Sequence, residues 1–261
     1  MYVTAAPRGP LSGLVESLWL YEGEAAAHAR DLRLPTGGVD LIVSLRNDSG
    51  YPDVVVSGPF THAFLLDTAA QRDTLGVAFK VGAAAALLGL PLDELRNEHV
   101  ALADLWRSGA SELRECVLAA PTPEAKLAAA ERMLSERLAG VSRPPHPGVG
   151  RAAAHMEAAP ERCRIGDLSE TLGLSSRRFE QIFRADIGMT PKAYQRLQRF
   201  RRALARIEDA TRVGWAGFAL DRGYYDQAHL INEFGAHCGL TPPEYLASRA
   251  GSFVNHVPIT G

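Results

Sequence analysis

The C-terminal third of the chain contains one short stretch twice: Gly188-Met-Thr-Pro-Lys-Ala-Tyr194 and, 51 residues later, Gly239-Leu-Thr-Pro-Pro-Glu-Tyr245. Both copies follow the pattern G-x-T-P-x-x-Y, and both come directly after a run of residues whose apolar positions have helical spacing. Glycine commonly ends a helix and proline commonly begins the next one. The repeat therefore predicts two copies of one helical unit.

Each copy closes a segment with the pattern of a helix-turn-helix unit. In the first, residues 165–172 have the apolar spacing of a short helix, Gly173 provides a left-handed stop, and Ser175 caps a second helix. In the second, residues 215–219 lead to Gly223, and a capped helix follows in the same way. A glycine turn between a short helix and a capped helix is typical of the helix-turn-helix.

A long helix is predicted between the two units, from Pro191 to Ala210, because its sequence contains good helix formers and no glycine. Gly214 and Gly217 fall in the predicted leading helix of the second unit. Each glycine costs roughly 0.5–1 kcal/mol in a helix interior. The second unit is therefore expected to be the less rigid of the two.

The front half has a different pattern, with short apolar or alternating runs separated by turn residues, which predicts strands. These runs are Leu14–Tyr21, Val39–Leu45, Val54–Ser57, Ala63–Asp67 and Thr74–Val81. A helix is predicted from Pro123 to Ala139, with Leu127, Ala130, Leu134 and Leu138 on one face. The fold class is therefore α+β: a β-rich domain with flanking helices, then an all-α tandem helix-turn-helix domain.

The domain boundary is predicted at Gly140-Val-Ser-Arg-Pro-Pro-His-Pro-Gly148, where three prolines and two glycines interrupt helical propensity. We expect residues 1–139 to form a regulatory, sensor or dimerisation domain and residues 140–148 to form a linker. Residues 149–250 are expected to form the helical domain, and residues 251–261 a C-terminal tail.

Composition excludes several classes of protein. The longest apolar run, residues 77–90, is interrupted by a lysine and glycines, so no membrane span is expected. The first residues do not have the pattern of a secretory signal. The three widely spaced cysteines favour a reducing cytoplasm over disulfides or a zinc site. The net charge of −2 divides into −5 for residues 1–150 and +3 for the remainder, as expected for a nucleic-acid-binding region behind a regulatory one.

The sequence resembles the AraC/XylS family of bacterial transcription regulators over about residues 150–250. The resemblance depends on Phe179 and Phe183 in F-x-x-x-F, on the GYYDQAHLINEF run, and on GLTPPEY behind it. In the front half, LPTGGVDLIVSL and GVAFKVGAAAALLGLPLDEL resemble an amino-terminal sensor domain of a subset of this family. The resemblance implies a regulator that binds double-stranded DNA.

The residues that would read DNA bases lie on the outward faces of the two capped helices, because a recognition helix enters the major groove with its exposed N-terminal face. In the first unit they are Arg177, Glu180 and Gln181, and in the second they are Gln227, Ala228, Ile231 and Asn232. Arginine can read guanine, glutamine adenine, and glutamate cytosine. The second face is apolar, so the first helix is expected to specify more of the site.

Contacts to backbone phosphates are expected from arginines beside these faces and along the connecting helix. They are Arg178, Arg184, Arg196, Arg199 and Arg202. A solvated helix face explains such arginines equally well, and about half are expected to be only that. In the family this helix fixes the distance between the recognition helices, so that both reach successive major grooves.

RNA polymerase, a small-molecule effector and a second copy of the chain are further partners that the sequence leaves open; no cofactor, metal or catalytic residue is expected. Two alternatives are a constitutive DNA-binding protein whose front half only dimerises, and an enzymatic front half. The enzymatic alternative has little support, because the histidines are scattered, Cys116 lies in an amphipathic helix, and Asp40 is first of all a turn or strand-edge residue.

Overall fold

Strands and helices divide between the front and back of the chain as predicted, which gives an α+β fold. The computed structural model describes residues 1–23, 30–46, 52–106, 109–140, 144–248 and 256–259. Its strands are β1 Tyr2–Ala5, β2 Val15–Tyr21, β3 Arg30–Arg33, β4 Asp40–Ser44, β5 Val54–Ser57, β6 Phe64–Asp67, β7 Thr74–Phe79, β8 His99–Ala101 and β9 His256–Ile259. The five predicted strands are confirmed to within two residues at each end.

Twelve α-helices occur in the described residues, eight of them after the predicted domain boundary. They are α1 Ala84–Leu88, α2 Leu102–Leu105, α3 Ala110–Ala119, α4 Pro123–Ala139, α5 Pro147–Ala158, α6 Ile165–Thr171, α7 Ser176–Ile187, α8 Pro191–Leu204, α9 Ala210–Val213, α10 Trp215–Asp221, α11 Gln227–Cys238 and α12 Pro242–Ser248. Short 3-10 helices occur at Gly9–Gly13, Thr68–Gln71, Leu92–Leu95 and Ile207–Asp209.

An antiparallel six-stranded sheet, in the order β1-β2-β7-β4-β5-β8, forms the front half. Its inward residues follow the period-two pattern of a half-buried strand, so that Val54 and Val56 are buried while Val55 is only partly covered. Helix α4 has the predicted bounds, is capped by Thr122, and buries Leu127 and Leu134 against the same core. The inward face of the sheet and the apolar face of α4 bury each other, so each stabilises the other.

The two predicted helix-turn-helix units, α6–α7 and α10–α11, are confirmed. Gly173 and Gly223 turn the chain with φ of 65° and 76°, a conformation that residues with a Cβ rarely adopt. Ser175 caps α7 and Asp226 caps α11, each accepting a hydrogen bond from the backbone three residues on. Local chemistry therefore determines where both capped helices begin.

Two expectations about the region between the units are wrong. The connecting helix, α8, ends at Leu204 rather than Ala210, and a 3-10 turn and α9 follow it. Gly214 lies outside α10, at its N-cap with φ of 79°, so only Gly217 is within that helix. Because glycine adopts a positive φ without strain, Gly214 fits its N-cap position and does not destabilise α10.

Part of the predicted linker is helical. The predicted linker includes Pro147 and Gly148, which form the first turn of α5, because proline is well suited to the first helical position. Residues 141–143 of that linker lie outside the described residues. The domain boundaries at 139 and 149 stay a prediction.

The predicted C-terminal tail contains a short strand. Its residues 256–259 form β9, which pairs antiparallel with β3 in a second sheet of order β6-β3-β9. Residues 251–255 and 260–261 of the predicted tail lie outside the described residues. The last strand of the chain thus belongs to a sheet of the front half.

The loop after β3 joins the two halves through apolar contacts. Leu34 is 1% exposed and belongs to the same buried cluster as Tyr194, Leu197 and Phe234 of the helical part. Gly37 has φ of 72°, and a Cβ at this position would lie 2.8 Å from the Leu197 side chain. The loop therefore packs into the core of the helix-turn-helix region, and the positive φ of Gly37 favours glycine at its closest approach.

His237, near the end of α11, makes a polar contact across the same junction. Its Nδ1 donates to the carbonyl oxygen of Thr61 at 2.6 Å, and its own carbonyl accepts from the Ala63 amide at 2.7 Å. The buried Nε2 has no hydrogen-bond partner among the described residues. Burial lowers the pKa of His237 and outweighs the Thr61 hydrogen bond, since protonation would leave a charged N–H without an acceptor.

We expect this junction to weaken in mild acid. The folded protein binds a proton at His237 less readily than the unfolded chain, whose histidines titrate near pH ~6.5. Stability is therefore fully present above that pH and falls as the pH is lowered through it. Urea unfolding midpoints measured from about pH 7.5 to 5.5 should fall for the wild type and fall less for His237→Gln. His155→Gln, on the exposed face of α5, is the control. An equally flattened pH dependence in both variants would contradict the assignment.

Candidate nucleic-acid interface

Helix α7 has one fully buried face and one exposed face. Phe179 and Phe183 are buried with ring centroids 5.5 Å apart, and Phe183 meets Tyr194 of α8 at 5.7 Å. These edge-to-face contacts hold the helix against α8. The residues predicted to read bases or phosphates on α7 are all exposed: Arg177, Arg178, Glu180, Gln181 and Arg184.

Helix α11 has the same arrangement with a less polar exposed face. Leu230 and Phe234 are fully buried, and Phe234 packs edge-to-face on Phe200 of α8 at 5.1 Å. Of the four predicted readers on this helix, three are exposed and Ile231 is half-buried. The exposed three are Gln227, Ala228 and Asn232. The exposed face of α11 therefore offers two amides and little else that can hydrogen-bond to a base.

Sequence reasoning missed Tyr225, which lies just before the Asp226 cap of α11 and is 86% exposed. The sequence did indicate that Tyr225 is exposed, because this tyrosine precedes the N-cap of α11 and does not fall on the apolar positions that the helix buries. Its backbone N–H donates to His229 Nδ1 at 3.2 Å, which fixes the start of the helix. An exposed aromatic ring with a polar tip at the leading edge of α11 is a further candidate contact.

Four of the five arginines predicted to contact phosphates have partners within the protein. Arg184 pairs with Asp93 at 3.2 Å, and Arg202 donates to the Ala158 carbonyl and pairs with Glu161 at 3.4 Å. The carboxylate of Glu233 pairs with the other two, Arg196 at 2.7 Å and Arg199 at 3.3 Å.

Arg178 is the exception among these five. Its guanidinium has no hydrogen bond or ion pair with any part of the chain that the structure describes. The role of all five as phosphate contacts stays a prediction, and it is simplest for Arg178. To contact DNA, each of the other four must either give up its internal carboxylate or carbonyl partner or bind that partner and a phosphate at the same time.

No group of His, Cys, Asp or Glu side chains in the described ranges has the arrangement of a metal site. The cysteines are free thiols, and burial raises the pKa of Cys238 to about 11, away from the range of a reactive thiolate. Burial also raises the pKa of Asp40, against the opposing effect of Arg33, at the start of β4. In the described parts of the chain, no helix combines the length and apolar character needed to cross a membrane.

A cleft of about 400 Å³ lies between the two halves of the chain. The turn from Lys80 to Ala83, after β7, forms one side, and α5 with the residues before it forms the other. Its polar lining includes Glu16 of β2, Glu157 of α5 and His146, which caps the start of α5. This volume is within the range that small-molecule sites occupy in proteins.

Two protein families match the chain in separate regions. Residues 168–248 match the family described as "Helix-turn-helix domain", and residues 3–101 match "Domain of unknown function (DUF6597)". The resemblance of residues 150–250 to AraC/XylS regulators is thereby confirmed: the C-terminal part of the chain carries a helix-turn-helix domain of the AraC type. Such a domain is characteristic of DNA-binding transcription regulators. No curated protein matches the whole sequence at a significant level.

Solved structures of ToxT from Vibrio cholerae are similar in overall outline. ToxT from strain O395 has 8% identity and a TM-score of 0.40, with 94% of this chain and 95% of that chain covered. Unsaturated fatty acid bound wild-type ToxT from strain SCE256 has 10% identity and a TM-score of 0.38, with 94% and 93% covered.

The Arg184–Asp93 pair predicts a measurable competition between Asp93 and DNA phosphate. If Arg184 contacts the backbone, Asp93→Asn frees it and steepens the dependence of log K on log salt for random duplex DNA by about 0.9. Fluorescence anisotropy at several salt concentrations measures this slope. In an Arg184→Ala background, Asp93→Asn should leave the slope unchanged. An identical steepening in that background would mean that Asp93 acts only through overall charge.

Proposed function

We propose that the chain is a sequence-specific DNA-binding transcription regulator that reads duplex DNA with α7 and α11. The observation that carries the proposal is the duplicated arrangement of a capped helix with a buried aromatic inner face and an exposed N-terminal outer face. Two such helices on one connecting helix can enter successive major grooves about 34 Å apart. Selection of bound sequences from a random DNA library, with the purified full-length protein, tests this proposal directly.

Base reading is assigned mainly to α7. Arg177 offers a bidentate donor for guanine, Gln181 a donor–acceptor pair for adenine, and Glu180 an acceptor for the cytosine amino group. All three are exposed in the first two turns of the helix, where a recognition helix contacts base edges.

A more permissive role is assigned to α11. At the repeat offset, Ala228 corresponds to Arg177, Ile231 to Glu180, and Asn232 to Gln181. Methyl groups at Ala228 and Ile231 suit thymine, whereas Gln227 and Asn232 can hydrogen-bond to adenine. We therefore expect the selected sequence to be strongly specified in one half and weakly specified in the other.

Control of DNA binding is assigned to the front half and its contact with the helices. The loop at Leu34 and Gly37 packs against the same α8 residues that support α7, so a movement of the loop changes the support of a recognition helix. We propose the cleft between the halves as the site of a small-molecule effector, since a ligand there touches both halves. The alternative, a front half that only dimerises, predicts no ligand.

The base-reading assignment is tested by two neighbouring arginines on α7. Arg177→Ala should relax preference at one base pair, at a cost of about 1–3 kcal/mol toward the preferred base. Arg178→Ala should weaken binding to all sequences alike and reduce the salt slope by about 0.9. Competition binding on a panel of single-base variants of the selected site distinguishes these results. Equal losses on specific and random DNA for both variants would contradict the assignment.

The effector proposal is tested by thermal shift of the intact protein against a panel of small organic acids, amines and aromatic compounds. A ligand at 100 times its dissociation constant stabilises by ~2.7 kcal/mol. Ala154→Phe, on the cleft face of α5, should abolish the shift because the ring fills the cleft. Ala119→Phe, at the exposed end of α3, should retain it. A ligand whose shift survives Ala154→Phe, or that leaves DNA affinity unchanged, would contradict control from this cleft.

A further inference from the structure

A buried carboxylate lies on the inner face of α11. The side chain of Glu233 is 4% exposed, and three basic side chains surround it. Its Oε1 lies 2.7 Å from Arg196 Nε and 3.6 Å from His229 Nε2, and its Oε2 lies 3.3 Å from Arg199 Nε. Two of these partners belong to α8, so the cluster joins the second recognition helix to the connecting helix.

The cluster also reaches the turn of the second helix-turn-helix unit. Arg199 donates to the Gly223 carbonyl at 3.3 Å, and its guanidinium lies 5.4 Å from the centre of the Tyr224 ring. Tyr224 in turn packs edge-to-face on His229 at 5.4 Å. The carboxylate of Glu233 therefore orients a guanidinium that supports the turn, in addition to its direct contact with Arg196.

The first unit has no such cluster at the corresponding position. At the repeat offset of 51 residues, Glu233 corresponds to Ile182, a half-buried apolar residue of α7. An apolar residue is therefore sufficient for packing a helix of this kind on α8. A buried ion pair adds little net stability over a well-packed apolar residue, because removing the charges from water is costly. What hydrogen bonds between charged groups add is direction. Arg196 Nε donates to Glu233 Oε1 at 2.7 Å and Arg199 Nη2 donates to the same oxygen at 3.5 Å, whereas Arg199 Nε and Oε2 form an ion pair at 3.3 Å without a hydrogen bond.

We propose that Glu233 is a positioning residue for DNA reading: it holds α11 in register with α7 by fixing Arg196 and Arg199 of the connecting helix. The inference rests on the proposed function and assigns a role within the same interface. It also explains why Arg196 and Arg199 face inward at Glu233 although they lie on a helix expected to approach phosphates. Arg196 is 45% exposed and can contact both Glu233 and DNA, whereas Arg199 is 18% exposed and serves mainly the cluster.

The test is Glu233→Gln in the full-length protein, bound to the site that the wild type selects. The substitution keeps the shape of the side chain and one oxygen acceptor, but it removes the charge that holds both guanidinium groups. Affinity for the selected site should fall tenfold or more, while affinity for random duplex DNA should not fall. Hydroxyl-radical footprinting should show protection lost from the half-site of α11 and kept in the half-site of α7. Arg177→Ala identifies the α7 half-site beforehand, because it relaxes the sequence preference there.

Glu170→Gln is the matched control, since it removes one charge from the exposed face of α6 in the same domain. It should leave the whole footprint intact. A wild-type footprint for Glu233→Gln would overturn the proposal, and so would equal loss from both half-sites, which indicates general destabilisation. If Glu233→Gln does not fold by circular dichroism, Arg199→Met decides in its place, because Arg199 is 18% exposed and serves mainly the cluster. Loss of the α11 half-site alone supports the proposal; a full footprint, or equal loss from both halves, overturns it.

Failure of this inference can be distinguished from failure of the proposed function. A wild-type protein that selects no preferred sequence contradicts sequence-specific DNA reading as a whole. A wild-type protein that selects a site and protects both halves, together with an unchanged footprint in Glu233→Gln, contradicts only the positioning role.

Discussion

The packing of the loop after β3 against α8 is the contact on which the rest of the structure depends. Leu34 enters the core that also holds Tyr194, Leu197 and Phe234, and Gly37, whose positive φ favours glycine, lies against the Leu197 side chain. Protein cores are close-packed, so a shift of this loop must be accommodated by the helices around it. The front half and the helix-turn-helix units are therefore physically connected through packed side chains as well as through the covalent segment between α4 and α5.

Helix α8 has three neighbours that matter for function. Tyr194 packs on α7, Leu197 on the loop of the front half, and Arg196 with Phe200 on α11. The position of both recognition helices therefore depends on one 14-residue helix. Suppose that the front half can occupy two positions relative to α8. A ligand can then change DNA affinity by no more than the difference between its own affinities for those two positions.

Several arginines predicted to contact DNA phosphates form ion pairs within the protein instead. Glu233, Glu161 and Asp93 hold arginines that the sequence suggests for phosphates, so fewer cations remain without a partner than the composition implies. Non-specific affinity depends mainly on the number of phosphates neutralised. Under the proposed function, we therefore expect a modest non-specific affinity and a larger contribution from the α7 side chains.

The sequence by itself determined several features that depend on neighbours within one or two helical turns. The caps at Ser175 and Asp226, the left-handed glycines 173 and 223, the bounds of α4 and the outward face of α7 all follow from local hydrogen bonding and period. Only the tertiary structure decided the partners of Arg184 and Glu233, the pairing of β9 with β3, and the insertion of Leu34. These contacts join residues far apart in the chain, such as Asp93 and Arg184 at a separation of 91, and no local pattern encodes which distant side chain will face a given arginine.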